Sequence, residues 1–278
     1  MEKKLLVFDI DGTLVHNNKV SPKVIQTLKM AKQQGHLITI ATGRNSRGIL
    51  KIACLLGLNN GQTPIIGLNG AEVFYLNPDN STNHLWQKPL TKQLSVELFE
   101  TARTQKIDCV AYTLDEHYLY TNRRVSFLNL FMYLRSKRAE FIKLKKNLIN
   151  LNLDVMKVIC HGRSQNMQSF QEKMKSLGLE VFGWSYTKHK THNIEVNMTG
   201  INKSVGMEKT AEILKIEQKD VIYFGDGAND KEALQWAGIG VAMGNAHDDI
   251  KSYANQVTLG VKEDGVAVWI EENILKTK

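Results

Sequence analysis

"LLVFDIDGTLVHNN", residues 5–18, runs four apolar residues, Leu5 to Phe8, straight into Asp9, Ile10, Asp11 and Gly12. A short apolar run with no polar alternation reads as a strand buried on both faces. Two carboxylates at its end are too costly to bury unless something answers their charge. Because strand side chains alternate, Asp9 and Asp11 are expected on one side.

The segments that follow alternate between helix and strand. "SPKVIQTLKMAKQQG" (21–35) is a helix with Ser21 as N-cap, Pro22 in its first turn, Val24, Ile25, Leu28 and Ala31 on one face, and Gly35 as its stop. "LITIAT" (37–42) is a second buried strand, followed by helical "SRGILKIACLLGL" (46–58) and a third strand in "PIIGLNG" (64–70). The C-terminal third repeats the rhythm: helix 202–216, strand "DVIYFGD" (220–226), helix 230–238, strand "IGVAMGN" (239–245), helix 248–255 and helix 265–275. Such alternation implies right-handed crossovers and an open, doubly wound parallel sheet of Rossmann-like α/β type.

Between these ends the pattern changes to paired strands, "CVAYTLD" (109–115) with "HYLYTN" (117–122), and to "DVMKVICHG" (154–162) leading into helical "SFQEKMKSLG" (169–178). A smaller α+β domain inserted into the first explains the change, with residues 1–83 and 191–278 forming the core and 84–190 the insert.

Composition narrows the function. No apolar run reaches the length of a membrane span, the longest being "FLNLFMYL" from Phe127, and Asp9 comes too early for a signal peptide, which points to the cytoplasm. Cys54, Cys109 and Cys160 are odd in number and lack CxxC spacing, so they are expected as reduced, packed thiols. The net charge of +8 is densest in "RSKRAEFIKLKK" (135–146), read as a solvated helix face. No zinc-finger, helix-turn-helix or RNA-binding aromatic pattern accompanies it, so nucleic-acid binding is a minority reading and anionic substrates fit the charge equally well; neither nucleic acid nor membrane is the expected partner. "GIGVAMG" (238–244) opens a strand where a dinucleotide fingerprint must close one. His189 and His192 in "HKTH" fall on loop and strand, where a spacing of three does not build a metal site; Trp184 and Tyr186 are expected to pack nearby.

Three buried strands thus end in polar groups at one sheet edge: Asp9 and Asp11, Thr42, and Asp226. Ligands bind at that edge of open parallel sheets. Clustered carboxylates raise each other's pKa unless a cation sits among them, and oxygen ligands of this kind suit Mg2+, which is commonly shared with a phosphate.

"DIDGTL" (9–14), "ATGR" (41–44), Lys203 in "NKSVGMEKT" and "GDGAND" (225–230) resemble, in order, the four motifs of the haloacid dehalogenase superfamily, and the tail 237–270 is similar to its Cof-type, C2B-capped phosphatases. The resemblance implies an Mg2+-dependent phosphatase of small phosphorylated metabolites, acting as monomer or homodimer beneath a cap domain. Asp9 would be the nucleophile, forming an aspartyl-phosphate, and Asp11 the general acid and base. Thr42, Gly43, the Ile10 amide, Lys203 and Asn229 would bind the phosphoryl group. Asp9, the Asp11 carbonyl and Asp226 would hold the metal, with Asp230 acting behind them. A phosphosugar mutase on the same core and a non-catalytic phospholigand-binding regulator are the alternatives.

Overall fold

The computed structural model describes residues 3–114, 118–122, 126, 128, 130, 134, 143–146, 153–183 and 191–275. Trp184, Tyr186 and His189 lie outside these residues, as does most of the basic run 135–146. The chain divides into two compact units, one of Met1–Gly43, Ile49–Trp86 and Asn202–Lys278, the other of Arg44–Gly48 and Gln87–Ile201.

The first unit is built on five parallel strands. They are β1 (Leu5–Phe8), β2 (Leu37–Ile40), β12 (Val221–Gly225), β13 (Ile239–Ala242) and β14 (Gln256–Val257), in the order β14-β13-β12-β1-β2. The alternation of β1 sorts its neighbours. Leu6 and Phe8 share a buried cluster with Val24, Leu28 and Ala31 of α1 (Pro22–Gln33), Ile49 and Ala53 of α2 (Ser46–Leu55), and Trp269 and Ile270 of α8 (Gly265–Asn273). Leu5 and Val7 face the opposite way, toward Met207 and Ala211 of α5 (Lys203–Leu214), Ala233 and Leu234 of α6 (Lys231–Trp236) and Ile250 of α7 (Asp248–Lys251). Helices therefore cover both faces, as the unbroken apolar strands require. Ser21 caps α1 as expected, its Oγ accepting from the Val24 amide at 3.2 Å. The chain proceeds from β1 outward to β2 in one direction and from β12 outward to β13 in the other. The boundary between β1 and β12 is thus the topological switch point of the sheet. A smaller antiparallel pair, β3 (Ile65–Gly67) and β4 (Glu72–Leu76), extended by β5 (Thr82–Gln87), abuts this sheet through a bridge from Ile66 to Ala41.

In the second unit six strands lie in the order β10-β11-β9-β6-β7-β8. These are β6 (Asp108–Thr113), β7 (Tyr118–Thr121), β8 (Lys143–Lys146), β9 (Val155–Arg163), β10 (Glu180–Gly183) and β11 (Thr191–Asn197). One sheet face packs Cys109, Ala111, Val158 and Cys160 against Leu98, Phe99 and Ala102 of α3 (Lys92–Thr104) and Met167, Phe170 and Met174 of α4 (Ser164–Ser176).

Four expectations change. The second unit extends to Ile201, past the expected junction at 190, because Thr191–Asn197 pairs antiparallel with β9 and β10. Its near boundary falls at Gln87 rather than 84, since β5 belongs with β4. Lys143–Lys146, read as part of a helix face, is an edge strand parallel to β7; lysines on an edge discourage pairing with further strands. Cys54 is exposed, whereas Cys109 and Cys160 are buried with their sulfurs 3.6 Å apart on neighbouring strands.

Candidate active site

Asp9 and Asp226 each follow the last residue of their strand, on either side of the switch point. The register aligns Phe8 with Phe224, whose rings stack with centroids 4.9 Å apart, and the Asp9 amide donates to the Phe224 carbonyl at 2.9 Å. Asp9 continues the alternation of Leu5 and Val7 and so turns toward the side of α5. There Lys203, the first residue of α5 and fully buried, donates to Asp9 Oδ1 at 2.6 Å and to Asp230 Oδ1 at 2.5 Å. A lysine at the positive end of a helix opposes the helix dipole. Its presence there suits an anion site more than it suits the helix.

Asp230 is the hub of the cluster. Its Oδ1 accepts from Lys203 and from the Tyr223 hydroxyl at 2.6 Å, while its Oδ2 accepts from the Asp226 and Gly227 amides at 2.8 and 2.7 Å. Four donors fill the carboxylate's acceptor sites. Asp230 therefore orients its neighbours and has no lone pair left for a metal. Asp226 keeps one position on each oxygen, with Thr13 donating to Oδ1 at 3.0 Å and Asn245 to Oδ2 at 3.1 Å. Asn245 also donates to the Gly12 carbonyl at 3.0 Å and accepts from the Val261 amide at 2.8 Å, so it ties the two aspartate loops together. Gly12 is needed where it stands: its φ is +93°, and a Cβ there would lie 2.2 Å from Asp226 Oδ2.

One carboxylate oxygen from each of Asp9, Asp226 and Asp230 lies within 4.8 Å of the others. Burial pushes the Asp9 carboxyl well above its ordinary range; Lys203 pulls it back, and Asp230, Asp226 and Asp11 push it further up. Burial and Asp230 bring Asp226 up to about 7, against the lowering effect of Thr13. Burial alone would discharge Lys203, but Asp230 and Asp9 outweigh it and hold the ammonium above the usual lysine range. With all three carboxylates ionised, one ammonium leaves two negative charges in excess, the charge of one divalent cation. The donor set therefore fits a hard divalent metal, which Asp9 and Asp226 could hold through their side chains. An Asp9 ionised at neutral pH, as a nucleophile must be, calls for a cation beside it.

Thr42 is buried, its amide donating to the Ile66 carbonyl at 3.0 Å and its carbonyl accepting from Asn69 at 2.9 Å. Gly43 follows it. Ile10 is buried in the turn after β1, its carbonyl accepting from the Val15 amide at 2.8 Å. Asn229 donates to Asn69 Oδ1 at 2.9 Å. Asp11 is exposed and is not one of the three grouped carboxylates, although its charge is felt by both Asp9 and Asp226. β1 ends at Phe8, so the turn that follows, rather than strand alternation, sets the direction of Asp11. Thr13, Tyr223, Asn245 and Asn69 escaped the sequence reading. All four lie inside stretches read for other features, and Thr13, Asn245 and Asn69 reach the site only through long-range contacts.

The model of the haloacid dehalogenase-like hydrolase family matches residues 6–270. The chain belongs to this family. Among its relatives in the haloacid dehalogenase-like family, the 5-amino-6-(5-phospho-D-ribitylamino)uracil phosphatase YitU of Bacillus subtilis is 31% identical over 279 residues, 98% of each chain. The pyridoxal phosphate phosphatase YbhA of Escherichia coli is 27% identical over 99% of this chain and 100% of its own. A solved haloacid dehalogenase-like hydrolase from Bacteroides thetaiotaomicron superposes with a TM-score of 0.80 at 27% identity, covering 98% of this chain and 99% of that one. Family members of this type use a divalent metal, in keeping with the acidic cluster. Among the described residues no helix is long and apolar enough to cross a membrane.

Proposed function

We propose that the protein is a phosphatase that hydrolyses phosphomonoesters of small metabolites, with Asp9 as nucleophile and Mg2+ as its metal. The observation that carries this is Asp9 itself: a carboxylate at the switch point of a parallel sheet, 2.6 Å from a buried lysine and within a cluster of carboxylates. When bound, Mg2+ would offset the repulsion between that cluster and a phosphate dianion and favour charge spreading over the equatorial oxygens. Asp9 and Asp226 would hold it, together with the Asp11 carbonyl.

In this reading the Asp9 carboxylate attacks phosphorus as the bond to the leaving oxygen breaks, leaving an aspartyl-phosphate. Asp11 gives its proton to the departing alkoxide, then takes one from the water that attacks the same phosphorus and frees Asp9. Its exposure suits a group that must exchange protons with solvent. Lys203 answers the charge of Asp9 and of the phosphoryl group together. Thr42, the Gly43 and Ile10 amides and Asn229 orient the phosphoryl oxygens. Apart from Asp11, which protonates any departing alkoxide alike, these residues address the phosphate alone, so the choice of leaving group is assigned to the inserted unit.

The names of YitU and YbhA suggest where a substrate panel should begin, with phosphomonoesters that carry a heteroaromatic ring. Phosphate release from that panel is expected with Mg2+ and not after chelation, and Asp9→Asn is expected to abolish it. Substantial turnover by Asp9→Asn, or a phosphoryl group trapped on another residue, would overturn the reading.

A further inference from the structure

The turn after β3 holds three consecutive residues at positive φ: Leu68 at +51°, Asn69 at +57° and Gly70 at +92°. Glycine and asparagine tolerate this conformation, but leucine seldom adopts it, so surrounding contacts must hold the turn in place. Those contacts reach three separate segments of the first unit. The Asn69 amide donates to the Thr42 carbonyl at 2.9 Å. Asn69 Oδ1 accepts from Asn229 Nδ2 at 2.9 Å. Gly70 lies so close to the start of α5 that a Cβ there would sit 2.0 Å from the Asn202 carbonyl oxygen, next to Lys203. Thr42, Asn229 and Lys203 arrive from different parts of the chain, and this one turn touches the backbone or side chain that delivers each.

We infer that Asn69, fully buried in this turn, is a positioning residue for the phosphoryl site and acts through Asn229. A primary amide can face an anion with its N–H or with its carbonyl oxygen, and only the first attracts. By accepting one hydrogen of Asn229 Nδ2, Asn69 Oδ1 fixes which way round that amide sits. The second hydrogen of Nδ2 is then left for a phosphoryl oxygen. Without Asn69 the Asn229 amide can turn over and present its own oxygen to the phosphate. The left-handed backbone is what brings Asn69 Oδ1 to Asn229 while its amide still holds Thr42.

The inference rests on the reading of Asn229 as a phosphoryl ligand, and a double-mutant cycle separates the two. Asn69→Gly keeps the left-handed freedom and removes the amide. Inhibition by inorganic phosphate and kcat/KM for p-nitrophenyl phosphate are measured for the parent, Asn69→Gly, Asn229→Ala and the double variant. Each single variant is expected to weaken phosphate inhibition about tenfold, the scale of a hydrogen bond to a charged group, and the double variant to be no weaker than Asn229→Ala alone. Losses that multiply, or an Asn69→Gly enzyme with unchanged phosphate inhibition beside a weakened Asn229→Ala, would overturn the inference and leave the Asn229 reading standing. An Asn229→Ala enzyme that binds phosphate as the parent does would overturn both. Should Asn69→Gly fail to fold, Asn69→Ser takes its place in the same cycle, with the same outcomes deciding.

Discussion

Asp226 shows how a single carboxylate reports the charge of the whole site. Burial and the neighbouring Asp230 raise it to about 7 in the metal-free protein, whereas the unfolded chain titrates near 3.8. Between those values the folded state holds a proton that the unfolded state has released. The resulting stabilisation is fully present below the unfolded value and is lost as pH rises through about 7, and at about 1.4 kcal/mol per unit of pKa it amounts to at most about 4 kcal/mol. Metal and proton compete for the same oxygens, so metal affinity should move the opposite way and rise with pH over this range. Metal-free protein is therefore expected to lose stability between pH 5 and pH 8 by more than Asp226→Asn does, and calorimetry should show Mg2+ binding tighter at pH 8 than at pH 6. Parallel stability profiles for parent and variant would show that Asp226 does not carry the effect.

At the scale of the element, α5 sets two opposing effects against each other. Lys203 at its first turn costs the helix roughly 0.3–1 kcal/mol through the dipole, while removing one member of a buried ion pair costs roughly 3–5 kcal/mol. The second is larger, so Lys203→Met is expected to lower stability by several kcal/mol in denaturant titrations and to abolish turnover. A variant more stable than the parent would mean that the dipole outweighs the pair. Elements made by local rules were legible in the sequence. Ser21, Pro22 and the apolar face of α1 announce that helix, and the largely apolar runs of β1, β2 and β12 announce buried parallel strands. Asp9, Thr42, Lys203, Asp226 and Asp230 were legible because each sits beside such an element. Elements made by distant partners were not. Lys143–Lys146 has no local strand signal, and Thr191–Asn197 shows its allegiance only through β9 and β10. The sequence marks Leu68–Gly70 only as the end of a strand, because nothing in a leucine announces a positive φ.

Across the whole molecule, each unit has hydrophobic clusters of its own. The first unit packs Leu6, Phe8 and Trp269 on one side of its sheet and Leu5, Val7 and Met207 on the other. The second packs Leu98, Phe170 and Ile194. Asp9, Thr42, Lys203, Asp226 and Asp230 all fall in the first unit, though they come from both ends of the chain. A metal held by Asp9 and Asp226, as proposed, would bind only where β1 and β12 are already paired, and its free energy of binding would become stability of that unit. Ligand at a hundred times its dissociation constant adds about 2.7 kcal/mol to the state that binds it. Hydrogen exchange on the intact chain, with and without saturating Mg2+, should show slower exchange in Leu5–Phe8, Lys203–Leu214 and Val221–Gly225. Val155–Arg163 and Ser164–Ser176 should exchange at unchanged rates, since their cluster gains nothing from the ion. Equal protection in both sets would mean that the two units open as one, and unchanged exchange in β1 and β12 would mean that no ion binds between them.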